Sequence, residues 1–173
     1  GLVFSNRDQR TLLDKFVQLF LTLPKQSNES ILLVVDAYYA SRKVLRPLLV
    51  RGHQVLTRVR SNAVAYHPAR TPKKPRRGRP RLYGKKVRLR DLWHRRSKHF
   101  SSAPSPVYGE QKVTIRYLVL DFLWRPIGRL VRFVLVDHPR RGRIILMCTD
   151  LELSPLEIIA GYGYRFKIEL AFK

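Results

Sequence analysis

The stretch Ile31-Leu32-Leu33-Val34-Val35-Asp36 constrains the fold more than any other part of the chain. Five consecutive apolar residues, rich in β-branched side chains, read as a strand buried on both faces, the pattern of a central strand in an α/β sheet. The run ends in a carboxylate. Catalytic groups in open α/β sheets gather at the carboxyl ends of strands, which makes Asp36 a candidate for chemistry. Position alone gives equal weight to a second role, capping the helix that follows.

The segments around this strand set its context. Residues Asn6 to Leu23 read as an amphipathic helix, with Leu12, Leu13, Phe16, Val17 and Phe20 at helical spacing, Asn6 or Ser5 as cap and Pro24 beyond its end. Ser41 to Arg51 reads as a second helix, weakened by Pro47 and stopped by Gly52. Gln54 to Val59 alternates as a strand. Helix, strand, helix, strand in this order points to parallel βαβ pairing.

From Tyr66 to Gly84 the character changes. Four prolines (Pro68, Pro72, Pro75, Pro80) are interleaved with Arg70, Lys73, Lys74, Arg76, Arg77, Arg79 and Arg81. Such a stretch predicts an extended basic loop, neither helix nor central strand. Its charge suits phosphate neutralisation without sequence reading, although a solvated arm has the same composition. Lys85 to Arg90 alternates as a strand, and Ser101 to Pro106 reads as a loop. Strands are expected at Val113–Phe122, Val131–Val136 and Arg143–Cys148. The short turns Arg125–Gly128 and Pro139–Gly142 between them make an antiparallel meander. Ser154-Pro155-Leu156-Glu157 supplies a Ser cap, a first-turn Pro and a capping-box Glu for a last helix that runs to the chain end. Gly161 and Gly163 weaken that helix intrinsically, so it depends on packing.

Composition narrows the partners. Lys and Arg number 35 against 12 acids, a formal charge of +23, which favours a polyanion and above all nucleic acid. With 45% apolar residues a folded core is expected. No long apolar span or basic amphipathic helix suggests a membrane. The single Cys148 excludes an internal disulfide framework and, with no signal-peptide pattern at the N-terminus, leads to a cytoplasmic expectation. Five scattered histidines and one cysteine give no zinc spacing. Trp93, Trp124 and Tyr83 could stack on bases, although core and loop-anchor roles are commoner.

At 100° per residue, Tyr162, Arg165 and Glu169 fall within an arc of about 60° on the last helix, with Ile158 on the same stripe. A helix carboxylate opposite a strand-end carboxylate can hold a hard divalent cation. Taken by itself, the stripe is better explained as an exposed Arg165–Glu169 pair. Asp121, Asp137 and Asp150 compete as acids but read as structural first, with Asp150 the nearest exception.

Tyr162-x2-Arg165-x3-Glu169 resembles the Tyr-Arg-Glu-Lys signature of bacterial insertion-sequence transposases of the DDE class, whose Lys would fall beyond Lys173. Asp36-Ala37-Tyr38-Tyr39 after its strand is similar to that family's second catalytic Asp, and the resemblance extends over nearly the whole chain. It implies an α/β, RNase H-like core at residues 1–60, a β-rich insertion at 61–150 carrying the basic loop 66–84, and a core helix at 151–173 with the third acid. Asp36 and Glu169 would bind two Mg²⁺ or Mn²⁺ ions for phosphodiester hydrolysis and strand transfer at transposon ends. Tyr162 and Arg165 would hold the phosphate backbone, with Lys73, Lys74, Arg76, Arg77, Arg79 and Arg81 as further DNA contacts. DNA ends and target would be the partners, and a homodimer on DNA is compatible. The first catalytic Asp has no counterpart: Asp8 and Asp14 lie in the first helix. The expectation is a fragment that lacks the opening strands and that Asp and is inactive alone. A non-catalytic basic module and a nuclease of the same fold are the alternatives.

Overall fold

The computed structural model describes residues 9–22, 30–70 and 78–171, with side chains in the last helix described as far as Arg165. Among the described residues four α-helices, α1 (Leu12–Thr22), α2 (Arg42–Val50), α3 (Leu92–Arg95) and α4 (Pro155–Ala171), accompany eight strands: β1 (Leu32–Val35), β2 (Gln54–Val59), β3 (Val64–Pro68), β4 (Tyr83–Arg88), β5 (Ser101–Pro104), β6 (Thr114–Trp124), β7 (Arg129–His138) and β8 (Gly142–Cys148). The strands form one sheet in the order β1-β2-β8-β7-β6-β3-β4, and β5 pairs with β6.

The parallel βαβ unit forms as the sequence implies: β1 and β2 are parallel, with Val35 opposite Thr57. Between them, α2 ends in a Schellman turn. His53 N–H donates to Leu48 O at 3.0 Å and Gly52 N–H to Leu49 O at 3.1 Å, with Gly52 at φ 80°. The meander β6-β7-β8 also forms, antiparallel throughout. It joins the βαβ unit directly through antiparallel pairing of β8 with β2. The strands between Val64 and Cys148 thus continue the same sheet as β1 and β2.

Several expectations are corrected. Among the described residues the Ile31–Val35 strand pairs with β2 alone, and only Val35 is buried. Two-sided burial belongs instead to β2, flanked by β1 and β8, where Val55, Leu56 and Thr57 are all fully covered. The basic loop is shorter than 66–84, because Tyr66–Pro68 and Tyr83–Gly84 pair within β3 and β4. A bulge between Tyr66 and Pro68 accommodates the proline. Ser101–Pro104 is a strand on β6, despite its loop-like composition. The first helix begins at Leu12. Thr11 and Asp14 close a capping box there, Thr11 N–H donating to Asp14 Oδ2 at 2.9 Å and Asp14 N–H to Thr11 Oγ1 at 3.4 Å. The anticipated caps Ser5 and Asn6 lie outside the described residues. The Thr11 hydroxyl and amide and the Lys43 ammonium together hold the Asp14 carboxyl down to about 2.

Two apolar layers flank the sheet. One packs Val17, Val44, Leu45 and Leu48 of α1 and α2 against Val55, Phe133, Ile145 and Met147. The other packs Ile158, Ile159 and Tyr162 of α4 against Leu56, Val134, Leu146 and Cys148. Among the described residues no helix is long and apolar enough to cross a membrane.

Candidate active site

Strand alternation decides which way Asp36 points. Leu32 and Val34 pack into the α4 layer, whereas Val35 packs into the α1–α2 layer. Asp36 stays extended at φ −78° and ψ 169°, so the alternation continues and places it on the α4 face. Its side chain makes no capping bond to the turn Ala37–Tyr39 that follows, although it occupies the cap position. The helix-capping alternative therefore loses its physical content. Asp36 is instead fixed through its backbone. Its carbonyl oxygen accepts the Thr57 hydroxyl at 2.9 Å and the Tyr39 N–H at 3.0 Å. Tyr39 is in turn braced by Phe16 of α1, ring centroids 4.6 Å apart. A rigid backbone thus presents an exposed carboxylate.

The facing element is α4. Ser154 and Glu157 form the anticipated capping box, Ser154 N–H to Glu157 Oε2 at 2.8 Å and Glu157 N–H to Ser154 Oγ at 3.3 Å. Arg132 anchors the segment before the helix. Its guanidinium binds Asp121 through two 2.9 Å bonds and donates to Leu153 O at 2.9 Å. Asp150 accepts Glu152 N–H at 2.9 Å, and Asp137 pairs with Arg143 at 3.5 Å. The helix then runs against β1, β2, β7 and β8.

Glycines permit this approach. A Cβ on Gly161 would meet Leu56 Cδ2 at 3.3 Å, and one on Gly163 would meet Val107 Cγ1 at 3.1 Å. Val107 belongs to the loop between β5 and β6, which a part-buried cluster holds. Glu110 bonds the Ser105 hydroxyl, His138 Nε2 at 2.9 Å and Arg141 Nη2 at 2.9 Å. Burial alone would raise the Glu110 carboxyl, but the bonds from His138 and Ser105 outweigh it and hold it low.

The stripe seen in the sequence faces inward. Ile158 is fully buried and Tyr162 is 3% exposed, so this part of α4 is not a solvated face. The Tyr162 hydroxyl donates to Asp36 Oδ1 at 3.4 Å, and the Arg165 guanidinium lies over the Tyr162 ring, 5.4 Å from its centroid. Burial raises the Tyr162 phenol above its ordinary value, Arg165 and Arg58 oppose that, and Asp36 adds to it. The phenol remains a donor at neutral pH. Arg58 was not singled out from the sequence. It is the exposed position of β2, and its charge reaches Tyr162. Only its place beside Thr57, one residue from the Asp36 backbone bond, could have flagged it.

The structure therefore brings Asp36, Tyr162 and Arg165 together. Glu169 lies one helical turn beyond Arg165 on the α4 backbone, with its side chain outside the described residues. Arg79 and Arg81 are exposed at the base of the β3–β4 connection, and Lys73, Lys74, Arg76 and Arg77 lie outside the described residues. Of the other aromatics, Trp124 is buried, and the Tyr83 hydroxyl donates to Arg125 O at 3.4 Å.

An exposed acid at a strand end beneath a helix occupies the place where ligands gather in open α/β sheets. The family model described as DDE superfamily endonuclease matches residues 5–117. This is more than half of the chain, and the chain belongs to that family. The match includes Asp36 and ends before α4. Searches of curated proteins and of solved structures return no significant match. The mixed α/β architecture fits the RNase H-like domain of this superfamily. Membership makes the chain a nuclease- or transposase-type protein with DNA as its substrate class, and DDE enzymes generally use divalent metal ions. Among the described residues there is no cluster of three or more His, Cys, Asp or Glu side chains that could hold a metal. Of those residues, Asp36 supplies hard carboxylate oxygens exposed at the site, a donor type that suits Mg²⁺ shared with substrate phosphate oxygens.

Proposed function

We propose that the chain performs metal-dependent phosphodiester hydrolysis and strand transfer at the ends of a DNA transposon. The observation that carries this reading is the contact between Tyr162 on the inward stripe of α4 and Asp36 at the end of β1. In this reading Asp36 and Glu169 hold the ions, and Tyr162 and Arg165, with Arg58, engage the DNA backbone. Tyr162 orients the Asp36 carboxylate through its retained proton, and the two guanidinium groups favour a phosphate beside it. Bound divalent ions supply activation of the attacking oxygen and neutralisation of charge on the leaving one. Residues 1–60 and 151–173 act as the RNase H-like core and 61–150 as the β-rich insertion. Asp14 is not a further metal ligand in this reading, being committed to Thr11 and Lys43.

The test is incubation of the full chain with Mg²⁺ and DNA carrying candidate transposon ends, products resolved by strand. Nicks that expose a 3′-hydroxyl and are followed by joining to target DNA support the proposal. Nicks without joining leave a nuclease. DNA binding with neither nicking nor any Mg²⁺ binding that Asp36→Ala removes leaves a basic module.

The basic connection between β3 and β4 gives a second expected outcome. Replacing Arg76, Arg77 and Arg79 with Ala weakens binding to all DNA sequences alike. It also lowers the slope of log affinity against log salt by about 0.9 for each phosphate that is no longer neutralised. Anisotropy titrations across salt concentrations measure this. An unchanged slope removes the arm from the interface.

A further inference from the structure

On the face of the sheet away from α4, two aromatic rings and two arginines form a layered pocket outside the site described above. Trp93 of α3 and Phe100 before β5 stack with ring centroids 5.3 Å apart and planes inclined by 26°. Arg143 covers Trp93 at 5.1 Å and Arg116 covers Phe100 at 5.5 Å. Arg116, Asp137 and Arg143 are cross-strand neighbours on β6, β7 and β8, so their side chains rise on one face together. With His94 and Ser97 these residues line a cavity of about 180 Å³. That is below the roughly 300–1,000 Å³ of pockets for drug-sized ligands and suits one planar ring. The adjoining segment is basic, with Arg95, Arg96 and Lys98 exposed.

We infer that this pocket takes an unpaired nucleotide of the DNA substrate, its base stacked on the Trp93–Phe100 pair. The inference rests on the reading of DNA as substrate. Trp93 and Phe100 also pack on the core, which holds the rings rigid and makes them a platform. Arg116 also donates to Ser97 O at 3.0 Å and Arg143 pairs with Asp137 at 3.5 Å, so an entering base takes the place of the guanidinium groups on the rings, which then meet the base edge or a flanking phosphate. Asp137 offers an acceptor for an exocyclic amino group, while the basic segment meets the backbone. Its place in the fold connects it with Asp36. Val59 at the end of β2 pairs with Ile145, two residues from Arg143, so the pocket lies at the end of the sheet towards which β1 and β2 run.

Trp124 is buried, so Trp93 is the responsive fluorophore. The full chain is titrated with a single-stranded DNA oligonucleotide, a flush-ended duplex and a duplex with a 3′ overhang. Tryptophan quenching and anisotropy are followed together. Single strand and overhang quench saturably, while the flush duplex binds without quenching. Trp93→Leu loses about tenfold in single-strand affinity with duplex affinity unchanged. Trp93→Phe loses the quenching and keeps most of the affinity. Equal quenching by flush duplex, or unaltered single-strand affinity in Trp93→Leu, overturns the pocket while DNA binding stands. Tighter quenching by RNA of the same sequence overturns the assignment to DNA. Absence of any anisotropy change with DNA overturns both this inference and the reading on which it rests.

Discussion

Asp36→Ala eliminates metal-dependent nicking, with a loss of roughly 10³-fold or more, the scale on which single members of a catalytic constellation matter. Glu169→Ala does the same, because in the proposed arrangement neither acid holds the ions without the other. DNA affinity is retained in both, since binding is carried by many cationic contacts and Asp36 contributes none. The loss is not one of stability. Asp36 is exposed and makes no side-chain cap, and the bonds that fix its position run through its backbone oxygen, which Ala keeps. Its thermal unfolding should therefore match the parent, the change in stability staying within about 0.5 kcal/mol. Asp36→Asn preserves shape and an acceptor for the Tyr162 hydroxyl but removes the charge, and should fail as completely as Ala. Tyr162→Phe removes only a 3.4 Å bond and should cost far less. Plasmid nicking with added Mg²⁺, read beside anisotropy, measures the series. Parental nicking rates in Asp36→Ala or Glu169→Ala would be fatal to the catalytic assignment.

Local chemistry is what the sequence revealed well. The bounds of β2, the capping box at Ser154 and Glu157 and the three strands of the meander depend on nearby residues, and each is legible from them. Features decided by distant partners were not. Leu32–Val35 has the same apolar pattern whether two strands flank it or one, so its pairing with β2 alone among the described residues could not be read. Ser101–Pro104 looks like a loop and becomes a strand only because β6 offers it a partner, tertiary pairing overriding propensity. The true start of α1 has a local signal, Thr11 and Asp14 at capping-box spacing, that competes in the sequence with Ser5 and Asn6. At the candidate site, helical arithmetic grouped Tyr162 with Arg165, and strand position singled out Asp36. Arg58 stayed hidden because alternation says only that it is exposed, and the helix it meets is remote in sequence.

Gly161 and Gly163 weaken the helix as a sequence, but in the fold they let it approach its neighbours, and Gly163 allows the sharpest test of how α4 is placed. Gly163→Val should lower nicking by roughly 10²-fold, the expected cost of moving a catalytic group by about 1 Å. The argument is steric. A Cβ at this position lies 3.1 and 3.3 Å from the two Val107 methyls, and the Glu110–His138–Arg141 cluster keeps that loop from yielding. The helix must move instead, and Tyr162 and Arg165 move with it. Overpacking of this kind costs about 1–3 kcal/mol. Replacing a helical glycine returns up to about 1 kcal/mol of backbone propensity. For Gly163→Ala these two effects nearly cancel in stability, yet the displacement remains, so activity falls while the melting temperature scarcely changes. Val107→Ala removes the obstructing methyls and should restore nicking in the Gly163→Ala background. A double-mutant cycle then gives a coupling between positions 107 and 163 that simple additivity forbids. Additive losses, or full activity in Gly163→Val, would show that the loop between β5 and β6 does not set the position of α4.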